Sequence, residues 1–223
     1  MEKVNVIASI KFGSYDNIMD MLDNGTIYCN TLDYFKKIED GFVRGDAHEG
    51  TVRITNFPKD SKITIHLADR DIELKTARLQ LREAYQDVPA NVYCFTVITV
   101  EEIVKAGSLK LDKKNCEFGT HFILIKDNKQ FFERLHQAFR KAGLIFETGF
   151  ITYYDKEAEE GELGLFHKSH EFAYQKEFRI LIQNHERKTI KIHLGSLRDI
   201  AEVYESKHLE SLVCIDQGQQ NTA

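Results

Sequence analysis

The sequence predicts an α+β fold: a mixed, mostly antiparallel, twisted β-sheet core flanked by helices in a single domain. Three observations lead there. Segments 91–99 and 120–126 are rich in Val, Ile and Phe and bounded by polar residues, as core strands are. Two amphipathic segments carry helix-capping residues at their ends. Only two prolines, Pro58 and Pro89, interrupt the chain, and no repeat or low-complexity block marks a boundary, so residues 1–216 read as one unit with a polar tail at 217–223.

Val4 to Phe12 has the composition of a buried strand. Ser14 offers a hydroxyl to cap a helix whose Tyr15, Ile18, Met19 and Leu22 fall on one face, and Asn24-Gly25 ends it because glycine tolerates positive φ. Thr26 to Thr31 reads as a second strand. Between Thr51 and Leu79, alternation in Val52-Arg53-Ile54 and Ile63-Thr64-Ile65-His66-Leu67 predicts hairpins, with a turn at Pro58-Lys59-Asp60-Ser61. Val100 to Ala106 reads as a short helix between the core strands. Asp127-Asn128 opens a longer helix with Phe132, Leu135 and Phe139 in a stripe, Arg140 and Lys141 in its last turn and Gly143 at its end. Leu144 to Tyr154 is expected as one strand, 155–162 as a hydrated acidic loop, and Ile180–Gln183 with Ile190–His193 as a strand pair. Ser196 is expected to cap a helix carrying Leu197, Ile200, Ala201 and Tyr204, and Leu212 to Ile215 to form a last strand.

Composition narrows the function classes. Of 223 residues, 42% are hydrophobic and 11% aromatic, enough for a substantial core. The 35 acidic and 30 basic residues leave a net charge of −5, so nucleic acid finds no global attraction here and at most a local basic groove. Cys29, Cys94, Cys116 and Cys214 lie far apart without CxxC spacing, which argues against a zinc ribbon or a disulfide framework and reads as reduced thiols. Met1 to Ile7 lacks the basic and apolar regions of a signal peptide, and no apolar run approaches the roughly 18 residues of a membrane span. The expectation is a cytoplasmic protein without membrane contact.

The chemistry-bearing residues concentrate in Tyr174-Gln175-Lys176-Glu177-Phe178-Arg179-Ile180. A strand starting near Glu177 with a period of two places Gln175 and Glu177 on one face, where a carboxylate can stabilise positive charge as a glycosidic bond loosens and an amide can orient an acceptor. The same pattern also fits a solvated or salt-bridged strand edge. Residues 39–50 pack four carboxylates, Arg44 and three glycines into one loop, where Arg44 offers a bidentate clamp for a phosphate oxygen or an internal pair with Asp46. His167 and His170, three apart, fit one helix face as metal ligands, and Asp40, Asp46, Glu49 and Glu177 are the carboxylates a metal-dependent nuclease would gather. No GxxxxGK[ST], GxGxxG or GxSxG motif is present, which sets aside nucleotide hydrolysis and serine-esterase chemistry.

The order of an early strand, a helix, a second strand with small polar residues and a late Gln-x-Glu strand entrance resembles the ADP-ribosyltransferase superfamily. The pattern from Lys11 to the Tyr-x-x-Glu-x-Arg ending at Arg179 is also similar to an uncharacterised bacterial family thought to share that fold. The resemblance implies a split sheet around one NAD cleft, with NAD as substrate and no metal. Gln175-Lys176-Glu177 looks like the Q-x-E version, associated with acceptors other than arginine side chains. Glu177 would then stabilise the ribosyl cation through the ribose 2′-hydroxyl and Gln175 would position the acceptor. Tyr28-Cys29-Asn30-Thr31 falls where the family places its Ser-Thr-Ser or Tyr strand, so Tyr28 or Tyr174 would stack near nicotinamide, with Asn30 and Thr31 in the cofactor site. Lys11 stands where the family has Arg or His, and Arg44 completes the candidate NAD contacts. The nearest functional models are DNA-targeting toxins of the DarT type and phage-defence effectors, which implies a DNA, RNA or protein acceptor and allows for a cognate antitoxin. Two other expectations stand beside this: a binding or regulatory module that uses loop 39–50 on a protein or nucleic acid, and a metal-dependent nuclease.

Overall fold

A computed structural model describes residues 5–37, 50–75, 79–84, 88–106 and 111–212. Local chemistry fixes the opening elements. Strand β1 (Val6–Gly13) runs into helix α1 (Tyr15–Asn24), whose start is capped by the Ser14 hydroxyl accepting from the Asn17 amide at 3.4 Å. Gly25 stops the helix at φ 62°, and a Cβ there would lie 2.2 Å from the Gly195 carbonyl oxygen, so dihedral and packing both demand glycine. Strand β2 (Thr26–Thr31) and the short helix α2 (Leu32–Lys37) follow. The next stretch forms β3 (Thr51–Phe57), β4 (Lys62–His66), β5 (Asp71–Lys75) and β6 (Leu79–Ala84).

The second half begins with the long strand β7 (Ala90–Thr99), then helix α3 (Val100–Ala106), β8 (His121–Ile125) and helix α4 (Asn128–Lys141). It closes with β9 (Phe146–Phe150), β10 (Thr152–Tyr154), β11 (Gly161–Glu162), β12 (His167–Ser169), β13 (Glu177–Gln183), β14 (Ile190–His193) and β15 (Ala201–Glu205). Short 3-10 helices occupy Lys113–Phe118, His170–Gln175 and Ser206–Leu212.

Among the described residues the main sheet has eight strands, ordered β14-β2-β7-β1-β8-β15, with β13 and then β9 branching from β7. All its pairings are antiparallel; the small β10–β12 pair is parallel, so the fold is mixed but mostly antiparallel. Helices α1 and α4 cover one face, burying Met21, Phe131, Leu135 and Phe139 against Phe95, Ile125, Ile180 and Ile182. Each such buried side chain contributes roughly 1.5–3 kcal/mol. On the opposite face Ile10, Ile98, Phe122 and Leu209 form a smaller core. Among the described residues no helix is long and apolar enough to cross a membrane.

One edge of β7 is shared. Its C-terminal part, 96–99, pairs with β1, and its N-terminal part, 91–92, pairs with β2, while β13 takes the whole opposite edge over 90–96. Residues 93–95 therefore face a gap where β1 and β2 diverge, and the sheet is split.

The structure differs from five expectations. Ile190–His193 does not pair with Ile180–Gln183: it adds to β2, and β13 lies between β7 and β9. The segment after Ser196 is a turn and then strand β15, because pairing with β8 outweighs the helical spacing of Leu197, Ile200, Ala201 and Tyr204. Leu144–Tyr154 is two strands, broken at Ile151, whose amide donates to the Glu177 carbonyl at 3.0 Å. Leu212 ends a 3-10 helix, and the rest of the strand expected to Ile215 lies outside the described residues. In α4 the fully buried stripe runs through Phe131, with Phe132 packed at its side.

Candidate active site in the sheet split

The split opens into a cavity of about 650 Å³, within the usual range for small-molecule sites. Residues from both faces of β7 line it, since among the described residues no strand separates them there: Tyr93 and Phe95 from one face, Cys94 and Thr96 from the other. Lys11 reaches across from β1, donating through Nζ to the Cys94 carbonyl at 2.8 Å and lying 4.3 Å from the Tyr93 ring centroid. A side chain thus supplies the hydrogen bond that a neighbouring strand would supply elsewhere in the sheet.

Gln175 and Glu177 meet on the cavity wall by an unexpected route. Gln175 ends a 3-10 helix rather than opening a strand, and Lys176 turns through the left-handed region at φ 46° before β13 begins at Glu177. That turn, not a strand period, brings the two side chains to one place. Both are nearly inaccessible, at 5% and 6% exposure. Lys168 on β12, equally buried, donates through Nζ to Gln175 Oε1 at 2.7 Å and to Glu177 Oε2 at 3.2 Å. Arg179 Nε donates to Glu177 Oε1 at 2.8 Å, as their positions two apart on β13 allow, and its guanidinium also reaches the Leu165 carbonyl at 2.5 Å. The Glu177 amide donates to the Tyr153 hydroxyl at 2.9 Å.

Burial on its own would raise the Glu177 pKa, but Arg179 and Lys168, with a hydrogen bond from the Cys94 thiol, outweigh it and hold the carboxyl well below the usual range. Glu177 is a carboxylate at neutral pH. Burial, then the Glu177 charge, push the Cys94 thiol and the Tyr153 phenol well above their ordinary values, so neither is an activated nucleophile. Burial also pushes Cys29 up to about 12.

Of the residues singled out from sequence, Lys11, Tyr28, Asn30, Gln175 and Glu177 line the cavity. Thr31 and Tyr174 do not: the Thr31 hydroxyl caps α2 by accepting from the Tyr34 amide at 3.2 Å, and the Tyr174 ring lies 5.3 Å from Lys114 Nζ. Arg44, with most of loop 39–50, lies outside the described residues. His167 and His170 share no helix face, since His167 is in β12 and accepts from the Gly164 amide at 3.0 Å while His170 begins a 3-10 helix. Among the described residues no three His, Cys, Asp or Glu side chains gather to hold a metal.

Sequence reasoning overlooked Lys168, which nothing local marks and which packs beside Glu177 only through the β10–β12 pairing. Arg179 was legible, because spacing of two on a strand shares a face. Among the described residues, Phe12, Tyr28 and Tyr34 supply rings, and four cations, Lys11, Lys168, Arg179 and Lys191, line the cavity against two carboxylates, Asp20 and Glu177. Rings, cations and volume together fit an anionic ligand that carries an aromatic heterocycle, such as a nucleotide. No protein family, curated protein or solved structure matches this chain.

Proposed function

We propose that this chain is an NAD-dependent ADP-ribosyltransferase acting on a macromolecule, with Glu177 and Gln175 as its catalytic pair. The carrying observation is that both side chains converge on the wall of the split, within reach of a single ammonium. NAD supplies a ribosyl–nicotinamide bond; as it breaks, the electron pair leaves with nicotinamide and positive charge develops on the ribose. An ionised carboxylate has about four acceptor sites, so those taken by Arg179, Lys168 and Cys94 leave one on Glu177 for a ribose hydroxyl. Gln175 orients the acceptor, whose oxygen or nitrogen bonds the ribose carbon and releases its proton. Tyr28 and Tyr34 stack on ligand rings, and Lys11 faces the phosphates. The role as a bacterial toxin or anti-phage effector, acting in the cytoplasm on DNA, RNA or protein, rests on the resemblance alone.

A second reading is a regulatory module that holds the same ligand without cleaving it. The ion pairs of Glu177 favour it, since a carboxylate compensated by two cations stabilises a ribosyl cation less than a lone one does. Incubating wild-type and Glu177→Gln protein with labelled NAD and separate DNA, RNA and protein pools separates the readings. Label transfer and nicotinamide release by wild type only are the results expected of a transferase. Tight NAD binding without nicotinamide release supports the module, and absence of NAD binding refutes both.

A further inference from the structure

We propose that Lys168 is a specificity-determining positioning residue, whose buried ammonium orients Gln175 and Glu177 and biases the cleft against a cationic ligand ring. The inference rests on the nucleotide reading of the cleft. Lys168 sits in the three-residue strand β12, held parallel to β10, with its side chain 5% exposed and its Nζ 4.8 Å from the Phe172 ring centroid. Strand, burial and ring together leave the ammonium little freedom.

Two consequences follow for a ligand. Gln175 lies beyond the left-handed turn at Lys176, outside the β13 ladder, so side-chain contacts rather than strand pairing orient its amide. Lys168 claims its Oε1, which turns Nε2, the donor end of the amide, toward the Tyr174 hydroxyl at 3.4 Å and fixes the amide's orientation at the cavity wall. The second consequence is electrostatic. Lys168 adds a positive charge beside Glu177 in a poorly solvated wall, where charges act more strongly than in water. The nicotinamide ring of NAD is cationic, whereas the dihydronicotinamide ring of nearly the same shape is neutral. Removing Lys168 therefore favours the oxidised ring over the reduced one, and removing the Glu177 carboxylate does the reverse.

The test uses carba-NAD, in which a carbocycle replaces the nicotinamide ribose so that the bond to nicotinamide resists cleavage, and its reduced form, with calorimetric Kd values for wild type, Lys168→Met, Glu177→Gln and the double variant, each checked for folding by circular dichroism. The ratio of oxidised to reduced Kd should fall about tenfold in Lys168→Met and rise about tenfold in Glu177→Gln. In the double variant it should return to within about threefold of wild type, since opposite charges have been removed together. A merely structural role shifts both ligands alike and leaves the ratio unmoved. If Lys168→Met does not fold, comparing Glu177→Gln with the double variant isolates the same charge. Binding of both ligands with a ratio indifferent to Lys168 overturns this inference and spares the nucleotide reading; binding of neither by wild type overturns the nucleotide reading and this inference with it.

Discussion

Glu177→Gln changes almost no volume and on shape alone should spare the fold. The structure predicts a measurable loss of stability. Lys168 and Arg179, 5% and 2% exposed, each donate to one Glu177 oxygen, and the variant leaves two buried cations facing a neutral amide. Breaking a buried pair from one side costs about 3–5 kcal/mol. The glutamine oxygen still accepts from one cation, which recovers roughly 1.5–3 kcal/mol, so the net loss at pH 7 is about 1–3 kcal/mol. Urea titration of both proteins measures it. The pH dependence gives a second reading of the same charge. The folded Glu177 pKa lies below its ordinary value of 4.5, so its contribution is complete above 4.5 and fades as pH falls from there through the depressed folded value. The gap between wild type and variant should narrow on acidification below that point. Stabilities within about 0.5 kcal/mol at pH 7, or a gap that stays constant on acidification, would refute the buried pairing of Glu177 with Lys168 and Arg179.

Lys11→Met removes a charge-assisted bond to the Cys94 carbonyl, and should cost about 1.5–3 kcal/mol in urea titration. It should also weaken NAD binding by calorimetry, and unchanged affinity would remove Lys11 from the ligand site. At pH 8, mass spectrometry after alkylation should find Cys29 and Cys94 unmodified in the native protein and modified in urea, because burial raises both thiols. Native labelling at the rate of a free thiol would contradict this. Gly119→Ala would place a Cβ 2.2 Å from the Gly13 carbonyl oxygen, beside the cavity, and should lower stability by about 1–3 kcal/mol in a thermal melt. A melt identical to wild type would show that the two backbones do not meet.

The parts legible in the sequence are those that neighbouring residues decide. Ser14 and Gly25 bound α1 because a hydroxyl acceptor and a positive-φ residue do their work within one turn, and β2 starts directly after it. Glu177 opens β13 as read, but the reason for its meeting with Gln175 was hidden, since a lysine at φ 46° gives no sequence signal. Non-local pairing decided the rest. Leu197, Ile200, Ala201 and Tyr204 have the apolar spacing of a helix, yet the edge of β8 claims Ala201–Glu205 as a strand, and Ile190–His193 passes over its sequence neighbour β13 to reach β2. Lys168 belongs to the same class: its partner Gln175 is seven residues away along the chain, across a turn that no local pattern describes.

The shared edge of β7 has a further consequence, for the growing polypeptide. Once residue 99 has been made, β1, β2 and β7 are all available to pair, but the other edge of β7 stays bare until β13 is synthesised. A chain interrupted between β8 and β13 exposes an apolar strand edge that can pair with any similar chain. It also lacks Gln175 and Glu177. One late strand both closes the sheet and delivers Glu177, so a truncated product is prone to aggregate and lacks the candidate catalytic carboxylate.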